Sequence, residues 1–464
     1  MSGDTLAAGN PFEQLERADE NLARFEIVHG GYPMSGASTW YPHGYALGRN
    51  VLDRAAEALK AAGYEELILP TLIPESDFAL QGEIKSFLDR VYLVRNGNPA
   101  LGEFVIKPTI EAQISRIYHA WSSTSELPFR VFTRRSVGRY EGGKTSPLWK
   151  ERIVWPFVEA HAALTSQADI APEILALATA TDVFARDCAL PILTVERLKT
   201  NKRLTEYARR RLEAVTIMPS GKVSALSSIY DLGDRFSRVY DVHTSAGSFS
   251  PMVNFGFSGR LILAMLAHNA RDALPIHPPL VAPIQVATIC QTATDLARAR
   301  TFVSRCRASG IRAAIIETRG SAEARAIRAK ELGAPLLANV HDGKINLEPR
   351  LNIPTSGGKS EATMKAALSR LQRELETQNL TRHRAHIVRL ASLGDVREVV
   401  AAERVALVPL CSEEECQAAV RPEGADHDII GALFSDEAPP MSCASCKRSA
   451  TQEVLLGVKY HREK

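Results

Sequence analysis

The chain has 464 residues, of which 45% are hydrophobic and 23% charged, and its net charge is +3. That length predicts roughly two to four domains with full-sized cores in a soluble globular protein, and the charge is too small to argue for nucleic acid by itself, although local patches matter more than totals. The N-terminal stretch lacks a basic start followed by an apolar run, and no run approaches the ~18 apolar residues of a membrane helix, so the residues exclude a visible secretory leader and a span.

Residues 11–27 carry a modest apolar stripe of Phe12, Leu15, Leu22 and Phe25, which predicts a polar helix. The segment GGYPMSGASTWYPHGYALG follows; its glycines and prolines break regular structure while Trp40, Tyr41 and Tyr45 need burial, so it is either an ordered functional loop or a packed entry turn. Leu47, Val51, Leu52, Ala55 and Leu59 fall at helical spacing, predicting a helix over 45–62 that Gly63 stops. Glu66 to Pro70 is expected to be a strand ending at the proline, which cannot donate to a ladder. Val91–Val94 and Phe104–Ile106 predict a hairpin around Asn96 and Gly97. Lys107-Pro108-Thr109-Ile110-Glu111 then opens a helix to about Trp121, with Thr109 available as an ordinary cap or as a site residue.

Phe129–Arg139 and Ile153–Leu164 predict two strands around the loop of RYEGGKTSPLWKERIVWPFVEAH. A helix is expected over 170–188. The basic tract 197–211 suits a solvated helix face, with phosphate contact as the other possibility, since lysine and arginine supply most phosphate contacts. Ser227 to Phe236 and Asn254 to Arg260 precede a helix over Leu261–His268. The proline-rich stretch 275–283 marks a domain boundary. Beyond it, strand 284–289, helix 295–308, strand 312–316, helix 321–332 and strand 336–340 alternate, predicting a small α/β domain. Helix 361–378 and a last unit from about 390 complete the chain. Seven cysteines, an odd number, favour metal and a reducing cytoplasm over disulfides. Cys411 and Cys416 are separated by four residues and Cys443 and Cys446 by two, a pattern that suits a tetrahedral structural zinc. Cys188, Cys290 and Cys306 are expected in cores.

In order, GYPMSGASTWYPHGY, LILPTLIPES, KPTIE, RYE…EAH, FGFSGRLI, PPLVAPIQV and the terminal cysteines resemble the class II aminoacyl-tRNA synthetases and, more narrowly, the prolyl-tRNA synthetases of archaeal/eukaryotic type, over nearly the whole chain. The resemblance implies an α+β fold with an antiparallel catalytic sheet (1–279), an anticodon-binding-like α/β domain (280–388) and a C-terminal zinc-binding domain (389–464). It also implies a homodimer joined through Leu67–Ser76. The implied chemistry is ATP- and Mg2+-dependent activation of proline or a proline-like amino acid, then transfer to tRNA. By the same resemblance, Arg139 and Arg260 are catalytic; Arg139, Glu141, Lys144 (or Lys150), Arg152 and Arg260 hold ATP. Thr109, Glu111, Arg139, Phe157, Glu159, His161, Ser228, Tyr230 and Asp231 face the amino acid, with Asp231 also a candidate magnesium ligand.

Five departures bear on that expectation. Lys107 stands where the family has arginine, a point charge in place of a planar fork. The stretch before Glu159 is one residue longer, which touches the assignment of Arg152. Tyr230 and Asp231 replace two histidines, and such pocket changes reset substrate choice. The anticodon-reading motifs are not recognisable in 320–343, and base reading depends on a few side chains at fixed positions. Tyr460, the family's usual last residue, is followed by four more. Two other readings therefore remain: a paralogue serving another amino acid or a non-tRNA acceptor, and a non-catalytic binding homologue.

Overall fold

The computed structural model describes residues 15–80, 91–98, 100, 102–198, 208–353, 360–422, 424–435 and 441–460. Most of the predicted basic tract, at 199–207, lies outside them, as do residues 11–14 of the first predicted helix.

The N-terminal unit is built on strands β1 (Glu65–Glu66), β2 (Phe129–Arg134), β3 (Phe157–Ala163), β4 (Leu193–Glu196), β5 (Arg210–Ile217), β6 (Val223–Gly233) and β7 (Met252–Ser258). Their order is β4-β5-β6-β7-β3-β2-β1. Every neighbour is antiparallel except the edge pair β1/β2. The sheet does not stop at β4: among the described residues it continues through Asp428–Leu433, Gln452–Gly457, Val405–Leu410 and Ile387–Arg389, so the C-terminal unit extends the N-terminal sheet to eleven strands.

Alternation along the strands separates two faces. Val158, Ala160, Ala162, Leu212, Ile229, Val253 and Phe255 point one way, into a core with the helices Pro42–Ala61, Ile170–Asp187 and Arg260–His268. The first of these helices starts with Pro42, whose missing N–H costs nothing at a helix entrance, and buries Leu47, Val51, Leu52, Ala55 and Leu59 along one stripe. Glu159, His161, Asn254, Tyr230 and Ser228 point the other way. At the end of that second face, Phe129, Val131, Ala163 and Met252 pack against Ile114 and Tyr118 of helix Glu111–Ser122.

Two expectations change. Glu66–Pro70 is not a strand to its proline: only Glu65 and Glu66 pair, Leu67 N–H donates to Phe132 O at 2.9 Å, and the chain then leaves so that Leu72–Pro74 pairs with Phe104–Ile106. Pro70 has no N–H to extend the ladder. The described end of the basic tract is not a helix face, because Arg210 and Arg211 open β5.

Residues 286–349 form the expected small α/β unit: Val286–Cys290 lies between parallel Ala313–Ile315 and Leu336–His341, and Lys344–Pro349 adds an antiparallel edge. The helix expected over 361–378 runs further, over Glu361–Ala385, and its buried Asn379 and His383 hydrogen-bond to Ala189, Asn269 and Ile217 of the N-terminal unit. No described helix is long and apolar enough to cross a membrane.

Candidate active site

Between β2 and β3 the chain makes a small ribbon, Val137–Gly138 against Ile153–Val154, and the loop 139–152 projects from it. Gly143 turns that loop with φ of +76°. Arg139 and Arg152 are tied together at the loop's base, where Arg139 N–H donates to Arg152 O at 2.7 Å. Arg139 Nε donates to Pro108 O at 2.6 Å, and its guanidinium lies 5.4 Å from the Phe157 ring centroid. Arg152 Nε donates to Glu141 O at 2.9 Å, its Nη1 to Ser35 O at 3.3 Å, and its guanidinium covers Tyr140 at 4.9 Å. Of the segment 30–48, expected as an ordered loop or a packed turn, residues from Pro42 on belong to the helix Pro42–Ala61, and the part before it braces the loop base from below. Arg152 N–H donates to Gly36 O at 2.7 Å.

Arg260 is the first residue of its helix. Its Nε donates to Trp149 O at 3.0 Å, and its guanidinium stacks 4.5 Å from the Trp149 ring. Burial pulls Arg260 below its usual range, opposed by the carboxylates of Glu141 and Glu213 and reinforced by Arg139 and Arg211. Those four neighbours place Arg139, Glu141 and Arg260 within one electrostatic environment. An anion entering it would relieve the crowding of cations. Lys144 is exposed at the loop tip.

Below these groups lies a buried polar cluster. Thr109 hydroxyl contacts both Glu111 Oε2 and, at 2.8 Å, Glu159 Oε1. Ile110 N–H donates to Glu159 Oε1 at 3.3 Å, and His161 Nε2 stands 3.0 Å from the same oxygen. Thr109, Glu111, Glu159 and His161 are each at most 6% exposed. Burial pushes the Glu159 carboxyl up, but His161, the Thr109 hydroxyl and the Arg139 charge together hold it below the usual range. Glu159 Oε2 is buried and has no partner among the described residues. Lys107, nearly fully buried, extends Nζ toward Leu69 O at 3.4 Å; burial lowers its ammonium pKa, and Glu159 opposes that.

Strand register places the remaining candidates. Glu159 pairs with Gly256, and Gly256 with Ser228; His161 pairs with Asn254, and Asn254 with Tyr230. Laterally paired residues share a face, so Ser228 and Tyr230 join Glu159 and His161. Gly256, having no side chain, leaves the floor between Ser228 and Glu159 open. Asp231 does not join them. It pairs with Val253 on the helix-covered face and accepts from Gly233 N–H at 2.9 Å. The expectation that Asp231 faces the amino acid or a magnesium ion is corrected by this alternation.

Asn254, Arg211 and Glu213 were missed as site residues. Asn254 Nδ2 lies 3.1 Å from Glu111 Oε1, 3.2 Å from Glu159 Oε1 and 3.1 Å from His161 Nε2. Arg211 caps the Tyr230 ring at 5.1 Å, reaches Ser228 Oγ at 3.4 Å and pairs with buried Glu213, which also meets Arg197 at 2.7 Å. The available signal was period-two alternation: once β5 is a strand, residues 211 and 213 share the face of 228 and 230.

At the C-terminal unit the sulfurs of Cys411, Cys416, Cys443 and Cys446 all lie within 4.8 Å of one another. Cys411 Sγ to Cys446 Sγ is 3.7 Å, close to the edge of about 3.8 Å that Zn–S bonds of about 2.3 Å give in a tetrahedron. Arg448 donates to Cys446 Sγ at 3.4 Å and helps pull that thiol down to about 6, toward the thiolate a metal requires. Four converging thiols, of which Cys443 and Cys446 are drawn toward thiolate, fit zinc. Cys188, Cys290 and Cys306 are buried, each within an apolar core.

Residues 92–269 match the family model of the tRNA synthetase class II core domain (G, H, P, S and T). The proline–tRNA ligase of Methanosarcina mazei is 26% identical over 95% of this chain and 96% of its own. That of Thermococcus kodakarensis is 28% identical over 90% and 92%. In fold, the chain is similar to the Giardia lamblia prolyl-tRNA synthetase in complex with prolyl-adenylate, with a TM-score of 0.85 and 18% identity over 98% of this chain and all of that one.

Proposed function

We propose that this chain, a class II aminoacyl-tRNA synthetase by its core domain, activates proline with ATP to prolyl adenylate and passes the prolyl group to the 3′ end of a tRNA. The observation that carries this reading is the buried Thr109–Glu111–Glu159–His161 cluster opening beside Arg139, with Arg260 in the same electrostatic environment. One end offers carboxylates to an ammonium; the other offers guanidinium groups to phosphate.

In the activation step a carboxylate oxygen of proline attacks the α-phosphorus and the bond to pyrophosphate breaks. Negative charge grows on the non-bridging oxygens, where Arg139 and Arg260 stabilise it by charge-assisted, fork-like hydrogen bonds. Arg139 serves both substrates, because its charge reaches Glu159 and its backbone is tied to the loop carrying Glu141. Glu141 accepts from the adenine amino group, while Arg152 and Lys144 close over the outer phosphates. Phe157 walls the pocket below Arg139, and Ser228 and Tyr230 form the wall across Gly256. No covalent enzyme intermediate is needed, so positioning supplies much of the rate.

Magnesium bound with the triphosphate would neutralise part of its charge. Zinc on the four C-terminal cysteines ties together the unit that extends the catalytic sheet. The working division is a catalytic domain at 1–279, an anticodon-binding-like domain at 280–388 and the zinc-binding domain at 389–464. Exposed Ile68, Leu72 and Leu93 support a homodimer formed through the 67–76 region, and seven free thiols support a cytoplasmic setting.

A second reading keeps the adenylation chemistry but gives it another small amino acid or a non-tRNA acceptor. Tyr230 on the pocket face favours it, because its phenol brings volume and a hydroxyl to the substrate wall. ATP–pyrophosphate exchange with proline and a panel of small amino acids, followed by charging of tRNA, separates the two. Exchange with proline and charging of proline tRNA is the expected result; exchange with no amino acid in folded, zinc-loaded protein would sink both.

A further inference from the structure

Asn254 belongs to none of the roles given above, yet it occupies the centre of the buried cluster. It is 5% exposed, on β7 between His161 of β3 and Tyr230 of β6. Its Nδ2 stands 3.1 Å from Glu111 Oε1 and 3.2 Å from Glu159 Oε1. The orientation of the amide follows from chemistry: turned over, its oxygen would face two carboxylate oxygens with no hydrogen between them. With Nδ2 inward, each of its two hydrogens serves one carboxylate, and His161 Nε2 donates its own to Glu159.

Two further donors serve the same pair of carboxylates. Thr109 has a single hydroxyl hydrogen for both Glu111 and Glu159, and Ile110 N–H reaches Glu159 alone. Two carboxylates buried this close, with ligand oxygens within 4.8 Å, tend to share one proton unless each is compensated. A shared proton would leave the pocket one negative charge and turn one acceptor into a donor. Glu159 Oε2, buried and without a partner among the described residues, is the acceptor left over for an incoming group.

We infer that Asn254 is a positioning residue for amino-acid selection: its two amide hydrogens keep Glu111 and Glu159 both available as acceptors, so that the pocket selects a cationic amine over a neutral ring of the same shape. The inference rests on the amino-acid-activating reading, and it assigns to that site a determinant outside the groups that touch substrate. A protonated secondary amine carries two N–H hydrogens and one positive charge, which suits two compensated carboxylates.

The test compares wild type with Asn254→Ala and Asn254→Ser, the second keeping one donor in a smaller side chain. Asn254→Asp is nearly isosteric but replaces the donors by a third carboxylate. ATP–pyrophosphate exchange gives KM for proline and for ATP. Tetrahydrofuran-2-carboxylate, which has oxygen in place of the ring N–H, gives an inhibition constant that does not depend on the ammonium. Loss of two hydrogen bonds to charged acceptors predicts that KM for proline rises ~10- to 100-fold in Asn254→Ala, and less in Asn254→Ser. KM for ATP stays within about twofold, because a lost ground-state contact acts on the substrate that made it. The inhibition constant of the oxygen analogue is unchanged, so discrimination between the two rings collapses.

Proline and analogue weakening together would mean that Asn254 only packs the pocket, and an unchanged KM for proline would remove it from selection; either result overturns the inference. Melting temperatures identify a variant that has merely lost its fold, in which case Asn254→Asp supplies the comparison. If wild type exchanges with no amino acid, the activity reading fails separately. Calorimetric binding of proline against the oxygen analogue in wild type and Asn254→Ser then decides the inference: equal binding of the two rings by wild type would overturn it.

Discussion

At the scale of single residues, the two arginines proposed to grip the nucleotide are held by different means. Arg139 is pinned by Pro108 O and lies over Phe157, whereas Arg260 is pinned by Trp149 O and lies over the Trp149 ring. Both contacts use the planar guanidinium, which lysine lacks. Arg260→Lys is therefore expected to keep a charge in the site but lose its aim. Its kcat for ATP–pyrophosphate exchange should fall by about 10²–10³, the usual cost of one transition-state donor, with KM for proline little changed; stopped-flow or exchange kinetics at saturating proline measure it. Arg139 and Arg260 were named from the sequence through the resemblance of their motifs to the class II synthetases, and the guanidinium fork suits the phosphate role which that resemblance implies. Asn254 was not, because an asparagine on a strand announces nothing until its pairing with His161 is known. Asp231 was misjudged for the complementary reason: one step along a strand reverses the face, and only the register shows which step is which.

Elements determine whether those side chains arrive in place. Gly36 has φ of +78°, where side chains are strained, and a Cβ there would lie 2.8 Å from Arg152 Cγ. Gly36→Ala should lower the melting temperature, at a cost of about 1 kcal/mol or more for the strained backbone, and should raise KM for ATP several-fold by displacing Arg152. Thermal melts and exchange kinetics read the two effects separately; a shift in stability without a shift in KM for ATP would detach Arg152 from the nucleotide. Helices were legible where an apolar stripe repeats, as over Pro42–Ala61, and hairpins where Asn-Gly sits between β-branched runs. The strand expected to end at Pro70 was not, because an apolar run beside a proline is equally a covered, irregular segment, and Leu67 makes one ladder bond before the chain turns away. The basic tract misled because arginine is equally at home on a helix face and on a strand facing a polar site. Its β5 end uses alternate residues, Arg211 and Glu213, to line that site.

For the whole molecule, the sheet that crosses from the catalytic unit into the C-terminal strands makes the cysteine cluster part of the same folded body as the active site. The cluster lies beside the core of Val408, Leu410, Val454 and Leu456. Metal analysis should find one zinc per chain, in keeping with a closed four-thiolate site. Chelation should lower the melting temperature and, through Gln452–Gly457 and Asp428–Leu433, reduce activity as well.

The α/β unit is joined to the catalytic unit by a contact that depends on uncharged histidines. His43, at the start of helix Pro42–Ala61, stacks on His277 of the linker with ring centroids 5.4 Å apart. The His277 ring lies against Gly333, where a Cβ would come within 2.6 Å, and its backbone N–H donates to Gly333 O at 2.8 Å. Neither ring nitrogen of His277 has a partner among the described residues. Burial lowers His43 to about 4, helped by Arg328 and opposed by a hydrogen bond involving the Leu332 backbone. Burial also pulls His277 well below its usual range, as do His43 and Arg350. A histidine depressed in the folded state binds its proton more readily when unfolded, so its contribution to stability is whole above the unfolded pKa of about 6.5 and is lost as pH falls below it. For His43 that loss runs from about 6.5 down to about 4. His277→Leu removes one of the two titrating rings and breaks no hydrogen bond of the ring. Melting temperatures of wild type and variant should therefore diverge in the variant's favour as the pH is lowered from about 6.5 toward 4, with carboxylate titration common to both. A gap that stays constant across that range would show that the junction is indifferent to the charge on His277.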